Sequence, residues 1–388
     1  MSKRTTVGID IGTSQVRVVI TELLHGSNRA TPKILGIGAA ESKGLRQGYI
    51  VDADDARRSL ESAVAHAEKM SGMTIRSAYL SVGGVGLEEF KTKSEVVISR
   101  ADAEVTSLDL SKAAEQSEQQ LGKKILNRKV IHAIPTAYTI DGERVLGHPE
   151  GMKGTKLGVE TLFVTILEQH LQDMIALVED MGISVIDVMA APLAASFVTL
   201  TKAQKMAGCV LVNIGAETVS LVVYEHNTPL SVTVFPLGST DITNDIALGL
   251  KISLEDAERL KRGSLSGTAY SQKRLDDIMQ ARLSEMLELI EAHLVKIGSS
   301  GLLPAGILIS GGGSGLPVTE DLARTILRLP SRKAQLTGAE GTKMRDSSWA
   351  VAYGLCIWGM SNEEESGFKN ALRSMWGKVR DLIMRFMP

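Results

Sequence analysis

The sequence predicts an α/β protein with two similar lobes and a cleft between them. A unit of strands joined by short turns, followed by a helix, occurs near the amino terminus and again about two hundred residues later, which is a weak internal repeat. The 388 residues exceed a typical single domain, so two or more domains with their own cores are expected. A third glycine-rich segment between a strand and a helix adds to this pattern.

The first unit contains four predicted strands and one helix. β-rich runs separated by turns predict strands in TVGIDIG, VRVVITEL and KILGIGAAES, and a later strand in SAYLSVGG. The segment DADDARRSLESAVAHAEKMSG between them predicts a helix. Asp52 or Asp54 can cap its first turn, and Gly72 can end it.

The second unit repeats this order. GCVLVNIGAETVSLVVYEHNTPLSVTVFPLG predicts three strands with turns at Gly215 and Asn227, and STDITNDIALGL predicts the helix that follows. Later, AGILISGGGSGLPVTEDLARTIL predicts a strand ending at Ser310, a glycine loop and a helix that opens near Pro317.

Composition gives no reason to expect nucleic-acid binding. Lys and Arg total 43 against 45 Asp and Glu, so the formal net charge is −2 and any attraction to a membrane must be local. Cys209 and Cys356 have no ligand spacing, which is typical of core residues in a reducing compartment. The amino terminus enters a strand without an apolar leader, and no run has the length of a membrane-spanning helix, so we expect a protein kept in the cytoplasm.

The stretch TVGIDIGTSQVRVVI places a carboxylate and a polar turn at the end of the first strand. Gly12, Thr13 and Ser14 can point several backbone N–H groups and two hydroxyls into one concavity, which suits anionic oxygens. Phosphates on this turn, with Mg²⁺ held through water by Asp10, account for both features. For this stretch alone, an ordinary hairpin is the alternative.

A glycine cluster follows the strand that ends at Ser310. Gly311, Gly312 and Gly313 allow the backbone to approach a flat ligand, and Ser314 leads towards a helix amino terminus with further N–H donors. Alone, such a cluster is equally typical of a flexible loop. Together with two strand–turn–strand loops in repeated lobes, it predicts the adenosine side of a nucleotide cleft.

Six segments resemble a known superfamily and one of its families. GIDIGTSQV, NIGAETVSL and ILISGGGSGLP resemble the two phosphate loops and the adenosine loop of the actin and sugar-kinase superfamily. GLRQGYIVDADDA, VIHAIPTAYTIDGERVLGHPEGMKGTKLGVE and SLEDAERLKRG resemble the FtsA family of bacterial cell-division proteins within it. The resemblance implies an actin-like two-lobed α/β fold with an inserted small α/β subdomain, and ATP or ADP with Mg²⁺ as ligands.

The resemblance also implies how the chain divides. In the family, the outer subdomain of lobe two receives the carboxyl-terminal tail of the tubulin-like protein FtsZ, although its long helix pattern also fits a packed structural helix. The implied segments are lobe one, 1–84 with 166–197 and 349–360; the inserted subdomain, 85–165; the lobe-two core, 198–241 with 302–348; its outer subdomain, 242–301; a linker, 361–367; and a terminal helix, 368–388.

The nucleotide-site residues implied by the resemblance lie in three loops and one helix. Within that helix, Glu258 and Lys261 share one face and would meet the ribose and the base, with a solvated ion pair as the alternative. The full set is Asp10, Gly12, Thr13, Ser14, Gln15, Asn213, Gly215, Ala216, Glu258, Lys261, Gly311, Gly312, Gly313 and Ser314.

Several positions depart from the superfamily pattern. The second phosphate loop begins with Asn213 instead of aspartate, so it lacks a charge that helps hold Mg²⁺ and orient the attacking water. Glu217 stands where glycine is commoner and would face phosphates unfavourably if it pointed inward. Gln15 replaces a lysine common in FtsA relatives, and Ala191 before Pro192 replaces a common glutamate. We therefore expect nucleotide binding with weak or absent ATPase activity.

Residues 368–388 predict an amphipathic helix. Their apolar residues recur at spacings of three and four, and five cations face a single acid, Asp381. In the interface of an anionic membrane such a helix gains apolar burial and about 1 kcal/mol per basic residue, whereas docking on a partner helix is the alternative. The apolar set is Phe368, Leu372, Met375, Trp376, Val379, Leu382, Ile383, Phe386 and Met387, and the cations are Lys369, Arg373, Lys378, Arg380 and Arg385.

These features favour a scaffold over an enzyme. A small-molecule kinase needs a carboxylate base near the second loop and has no use for a basic amphipathic tail, and a pilus-assembly actin homologue would not explain GHPEGMKG. The resemblance implies a peripheral protein on the cytoplasmic face of the membrane at the division site. Its expected partners are the FtsZ tail, further copies of itself, anionic lipids and other cell-division proteins. His132 has no partner at ligand spacing and is expected to be structural.

Overall fold

The computed structural model describes residues 3–24, 32–264, 271–316, 318–338, 344 and 346–366. Within them, three sheets and a short hairpin are formed by the following strands: β1 Lys3–Ile11, β2 Gln15–Leu24, β3 Lys33–Glu41, β4 Leu45–Arg46, β5 Tyr49–Ile50, β6 Ser77–Val82, β7 Glu88–Val97, β8 Arg128–Ile140, β9 Glu143–Val145, β10 Lys156–Leu167, β11 Ser184–Ala190, β12 Cys209–Ile214, β13 Val219–Glu225, β14 Thr228–Phe235, β15 Ile307–Ser310 and β16 Ser331–Lys333.

Helices cover these sheets. The α-helices of the described residues are α1 Ala53–Ser71, α2 Ser107–Gln119, α3 Glu168–Glu179, α4 Ala191–Thr199, α5 Lys202–Ala207, α6 Ser239–Leu250, α7 Leu254–Lys261, α8 Gln272–Lys296, α9 Thr319–Leu327 and α10 Ala350–Ser366. Short 3-10 turns lie at Gly122–Ile125, Gly312–Gly315 and Ser347–Trp349.

The two five-stranded sheets have the same topology, which confirms the internal repeat. Their strand orders are β11-β6-β1-β2-β3 in lobe one and β16-β15-β12-β13-β14 in lobe two. In each sheet the first three strands along the chain pair antiparallel, and two further strands add in parallel. The carboxyl ends of β1 and β12 therefore occupy equivalent places. The predicted α/β fold with duplicated lobes is confirmed.

Helix α1 shows why the sequence pattern predicted its ends. The side chain of Asp52 accepts a hydrogen bond from the N–H of Asp55 at 2.9 Å, as an N-cap does. Gly72 ends the helix in the left-handed region with φ 71°, and its N–H donates to the carbonyl of Glu68. The buried face of α1, which includes Leu60, packs against β3 of the lobe-one sheet.

The inserted subdomain is a four-stranded sheet with one helix on it. The strands run in the order β7-β10-β8-β9, and α2 packs against β7 and β10. Thr106 and Asp109 form a capping box at the start of α2. On β8, His132 is buried and its Nε2 accepts from the N–H of Ala190 at 3.0 Å. Burial lowers the pKa of His132 to about 3, so a structural role is confirmed.

Helix α10 joins the lobe-one core and corrects the predicted linker. It packs against β1 and α4, where a Cβ on Gly8 would lie 2.1 Å from the carbonyl oxygen of Ala352. The helix continues to Ser366, so the prediction of a linker is wrong for residues 361–366. Glutamate is a good helix former, and an established helix propagates without an apolar stripe.

The helix expected to open near Pro317 is α9, which begins at Thr319, and the glycine loop before it contains a 3-10 turn at Gly312–Gly315. Residues 367–388, which contain the predicted terminal helix, lie outside the described residues. Among the helices that the structure does describe, none combines the length and the apolar character needed to cross a bilayer.

Candidate functional site

A cleft of about 1470 Å³ lies between the lobes, and loops from both lobes line it. Its walls include the turn after β1, the turn after β12, the glycine loop after β15, and α7. The carboxyl ends of strands are the usual ligand edge of α/β sheets, and here two such edges face each other. Every residue predicted for the nucleotide site lines this cleft.

The first phosphate loop is a tight turn between β1 and β2. The N–H of Gly12 donates to the carbonyl of Gln15 at 3.2 Å, which closes the turn around Thr13 and Ser14. At the end of β1, the Oδ1 of Asp10 accepts from the hydroxyl of a serine on β6, Ser81, at 2.7 Å. Burial raises the pKa of Asp10, against the opposing effect of that hydrogen bond.

Arg17 is a cation at this loop that sequence reasoning missed. It pairs with Asp10 in the register of β1 and β2, so both side chains project from the same face of the sheet. Its Nη2 donates to Gln15 at 2.8 Å, and its guanidinium carbon lies 5.8 Å from the centre of the Trp349 ring. Its Nε is buried and has no hydrogen-bond partner among the described residues, and burial lowers the pKa of Arg17. A cation with a free donor beside a phosphate-type loop suits an anionic ligand.

The signal that locates Arg17 is the hairpin register. Counting across the turn from Asp10 places Arg17 directly opposite, and counting two residues back along β2 reaches Gln15 on the same face. The strand pattern alone gives the existence of the hairpin, whereas the register also requires the length of the turn. Ser81 carries no comparable signal, because its contact with Asp10 depends on parallel pairing of distant strands.

The second phosphate loop repeats the first with neutral groups. The N–H of Gly215 donates to the carbonyl of Thr218 at 2.8 Å, the same closure as in the first loop. Asn213 ends β12 and pairs with Ser220, the places that Asp10 and Arg17 hold in lobe one. The carbonyls of Gly215 and Ala216 accept from the first two N–H groups of α6 at 2.9 and 2.8 Å, which fixes the loop to that helix.

The glycine loop packs tightly on β12 at two of its glycines and leaves the backbone open at the third. A Cβ on Gly311, which has φ 86°, would lie 2.1 Å from Oδ1 of Asn213, so the loop sits tightly on the end of β12. A Cβ on Gly313 would also collide with β12. Gly312 faces open space, with no other heavy atom within 4 Å of a built Cβ. The hydroxyl of Ser314 donates to the carbonyl of Gly311 at 2.7 Å and closes the turn.

Glu258 and Lys261 form an ion pair on α7 at 2.7 Å, but the pair is not freely solvated. Lys261 Nζ also donates to the carbonyl of Ser239 and the hydroxyl of Thr243 at 2.9 and 2.7 Å, and only 8% of its side chain is exposed. Burial opposes ionisation of Glu258, but hydrogen bonds from Lys261, Thr243 and Arg262 outweigh it and lower its pKa to about 2. The pair ties α7 to α6 on the cleft wall.

Glu217 does not face the concavity of its own loop. Its Oε2 accepts from the backbone N–H of Gln47 at 2.5 Å, and Gln47 belongs to the β4–β5 hairpin of lobe one. The carboxylate of Glu217 therefore reaches across the cleft to lobe one.

The residues at the phosphate loops fit a magnesium ion that would be held mainly by the phosphates of a nucleotide and by water. The structure shows no cluster of three or more histidine, cysteine, aspartate or glutamate side chains suited to a metal in the part of the chain it describes. Asp10 is the carboxylate at the phosphate loops, and one of its oxygens is already bonded to Ser81. One remaining oxygen suits contact through water, whereas Asn213 adds no charge. The residues predicted to bind a membrane lie outside the described residues.

Solved structures with the same architecture define the fold class. The PilM–PilN type IV pilus biogenesis complex aligns with TM-score 0.67 and 18% identity, covering 91% of this chain and 98% of that one. MreB5 of Spiroplasma citri bound to ADP aligns with TM-score 0.52 and 12% identity, covering 94% and 99%. With the duplicated sheets and the interlobe cleft, these similarities define an actin-like fold.

Comparison of sequences narrows this class to one family. A family model described as "Cell division protein FtsA" matches residues 210–354, and one described as "SHS2 domain inserted in FTSA" matches residues 87–165. Cell division protein FtsA of Bacillus subtilis (strain 168) is 28% identical over 384 residues, covering 94% of this chain and 85% of that protein. FtsA of Pseudomonas aeruginosa is 26% identical over 387 residues, covering 94% and 91%. The chain belongs to the FtsA family, as the sequence motifs predicted.

Proposed function

We propose that this protein is an actin-like, ATP-binding scaffold of cell division that polymerises on the inner face of the cytoplasmic membrane and tethers FtsZ filaments there. The observation that carries the nucleotide part is the convergence of two phosphate-type loops and a glycine loop in one cleft. Two solved relatives of the fold, both MreB5 of Spiroplasma citri, are described as bound to ADP and to AMPPNP.

The nucleotide is held by groups from both lobes in this proposal. The N–H groups of the two loops and the side chain of Arg17 would face the phosphates, and the open backbone at Gly312 and the α7 pair would face the nucleoside. Bound Mg²⁺ supplies further charge neutralisation of the phosphates, and Asp10 would hold it through water. We expect slow hydrolysis because Asn213 and Ala191 stand where the superfamily commonly has carboxylates, so neither position can orient an attacking water through a charge.

The two-lobed shape of the subunit supports the proposed filament assembly, and the sequence of residues 368–388 supports the proposed membrane tethering. A two-lobed subunit whose contact surfaces differ from one another stacks head to tail, and such a contact propagates into a filament. Residues 368–388 supply a basic amphipathic segment whose modest affinity for anionic lipid is multiplied along a filament. The outer subdomain, which contains α6, α7 and α8, would receive the FtsZ tail, as the family implies.

A small-molecule kinase is the competing function, and the site disfavours it. A kinase needs a carboxylate near the second loop to take the proton of its acceptor. In this chain Asn213 and Ser220 are neutral, and the carboxylate of Glu217 is bonded to the opposite lobe. The nucleotide is therefore better explained as a ligand that closes the cleft.

Sedimentation with anionic liposomes, with and without ATP and Mg²⁺, tests tethering and assembly together. The full chain should pellet with vesicles, form filaments visible by electron microscopy, and release phosphate slowly. Trp376→Glu should abolish pelleting at any salt because it places a charge in the apolar face, whereas high salt should weaken wild-type binding by screening the five cations. Trp376→Phe is the matched control and should still pellet.

Two results would overturn the proposal. Pelleting of Trp376→Glu at the wild-type level would reassign the tail as a protein-docking helix. Rapid, saturable phosphate release, or transfer to a small acceptor, would favour an enzyme.

A further inference from the structure

The two lobes touch across the phosphate end of the cleft through one glutamate. Glu217, in the second phosphate loop of lobe two, accepts a hydrogen bond from the backbone N–H of Gln47 in lobe one at 2.5 Å. Other hydrogen bonds also join lobe two to the rest of the chain, such as that between Ser196 and Tyr224 at 2.7 Å beside α4 and that from the N–H of Val232 to Glu89 of the inserted subdomain at 2.7 Å. The Glu217 contact differs from these because Glu217 and Gly48, which follows Gln47, line the cleft beside the phosphate loops.

The donor of this hydrogen bond is held rigidly in lobe one. Gln47 has φ 50° at the tip of the β4–β5 hairpin, and its carbonyl accepts from the N–H of Val85 at 3.1 Å. The next residue, Gly48, packs so closely on Gly84 that a Cβ on it would lie 2.5 Å from the Cα of Gly84. Side chains at the two ends of the hairpin pack against the lobe-one core. The N–H of Gln47 is thus fixed in direction before any contact with lobe two.

The acceptor is also held in place by its own lobe. The carbonyl of Ala216 accepts from an N–H of α6, and a Cβ on Gly238 would lie 2.7 Å from the backbone nitrogen of Glu217. The backbone of the second loop therefore has no room to move towards α6. A charged acceptor that meets a fixed backbone donor makes a stronger bond than a neutral pair.

We propose that Glu217 is an interlobe latch that closes the phosphate end of the cleft and slows nucleotide exchange, an inference that rests on the proposed nucleotide site. Glu217, Gly48 and Gly84 line the same cleft as the phosphate loops. The lobes cannot separate at this end without breaking the bond to Gln47. While the latch is closed, the carboxylate is also turned away from the phosphates, so it does not repel them.

Release of a fluorescent mant-nucleotide after mixing with excess unlabelled nucleotide tests the latch. Glu217→Ala should speed release of mant-ADP and mant-ATP about tenfold, because it removes a charge-assisted hydrogen bond. Glu217→Gln keeps an acceptor oxygen and should be intermediate. Glu41→Ala is the matched control, since Glu41 is a second glutamate that lines the cleft and its backbone pairs within lobe one, with Gln15 of β2.

Equal release rates for wild type and Glu217→Ala would overturn the proposal, as would an equal acceleration by Glu41→Ala, which would indicate a general charge effect. Hydrogen exchange in the nucleotide-free protein tests the contact itself. The backbone amide of Gln47 should be protected in wild type and should exchange faster in Glu217→Ala. Unchanged protection of the Gln47 amide in Glu217→Ala, with unchanged thermal stability, would also overturn the latch.

If the wild-type protein binds no mant-nucleotide, the proposed nucleotide function fails. Hydrogen exchange at Gln47 then still decides whether the interlobe hydrogen bond exists.

Discussion

Lobe one and lobe two share one scaffold but carry different chemistry at equivalent positions. The turns after β1 and β12 close with the same hydrogen bond, from the first glycine of the turn to the carbonyl three residues later. At the strand ends, Asp10 and Arg17 face each other in lobe one, whereas Asn213 and Ser220 do so in lobe two. The paired residues at the strand ends are therefore charged beside the first loop and neutral beside the second.

This difference shows that strand pairing sets the backbone geometry of both loops, whereas the side chains at the strand ends set the charge of each loop. Backbone N–H groups of both turns are arranged alike, so either loop can receive anionic oxygens. In the proposed nucleotide complex, the charged pair makes lobe one the side with an arginine for phosphate and a carboxylate for the metal. In lobe two the carboxylate of Glu217 bonds to Gln47 of lobe one, so this loop contributes to closure of the cleft.

The largest expected effect is a loss of ATP affinity when a side chain beside the first loop is removed, compared with the equivalent change beside the second loop. Arg17→Ala should weaken ATP binding by about 10-fold to 100-fold, because a hydrogen bond to a charged group contributes about 1.5–3 kcal/mol. Ser220→Ala removes only a neutral hydroxyl at the equivalent position and should cost at most about fivefold. Titration of the protein with fluorescent nucleotide measures both. Similar losses for both variants would break the distinction between a charged and a neutral loop.

The second comparison concerns the strand at the outer edge of each sheet. At the end of β11, the N–H of Ala190 donates to His132 of the inserted subdomain. At the end of β16, the N–H of Ala334 donates to the carbonyl of Ile309 at 2.8 Å, a bond that does not titrate. Lobe one thus depends on a neutral histidine, and lobe two does not.

Acid should therefore destabilise the protein through His132. Because its pKa is about 3 in the folded protein and near 6.5 when unfolded, the unfolded state binds the proton first as pH falls below about 6.5. This one group should lower the free energy of unfolding by about 2 kcal/mol between pH 8 and pH 5. His132→Gln keeps an acceptor that does not titrate, so its loss over the same range should be smaller by that amount. Denaturant unfolding at both pH values measures the difference, and parallel curves would refute the role of His132.

Local pattern was sufficient to predict most elements of the fold. The caps of α1 at Asp52 and Gly72 and the range of α6 follow from residue types within one segment. The three loops were placed in one cleft because the repeat implies facing strand ends. Sequence reasoning did not find Arg17, because that needs the hairpin register. It also left the direction of Glu217 open, because its partner lies in the other lobe and depends on how the lobes pack.

The glycine loop shows a different limit. The sequence predicts that the cluster allows close approach of a ligand, yet a Cβ on Gly311 or Gly313 would collide with β12. Only Gly312 leaves the backbone open towards the cleft. A sequence shows that a backbone needs room, but not whether a ligand or a neighbouring strand occupies it.

The smallest expected effect is on stability, when the residues at the two equivalent strand ends, Asp10 and Asn213, are each replaced by the other type. Burial raises the pKa of Asp10, so in the folded, nucleotide-free protein its charge is less favourable than in water. Asp10→Asn keeps an oxygen that can accept from Ser81 and removes that charge, so it should stabilise the nucleotide-free protein by on the order of 1 kcal/mol. Asn213→Asp should destabilise it, because lobe two has Ser220 instead of an arginine opposite.

Denaturant unfolding of the two variants without nucleotide measures this exchange, and opposite signs are the expected result. Loss of stability in Asp10→Asn would mean that the attraction between Asp10 and Arg17 exceeds the cost of burying the carboxylate. The same variant should bind nucleotide with less dependence on Mg²⁺, since it removes the carboxylate proposed to hold the ion. A gain in stability with a loss of metal dependence would show that the charge at the end of β1 is retained for its ligand and not for the fold.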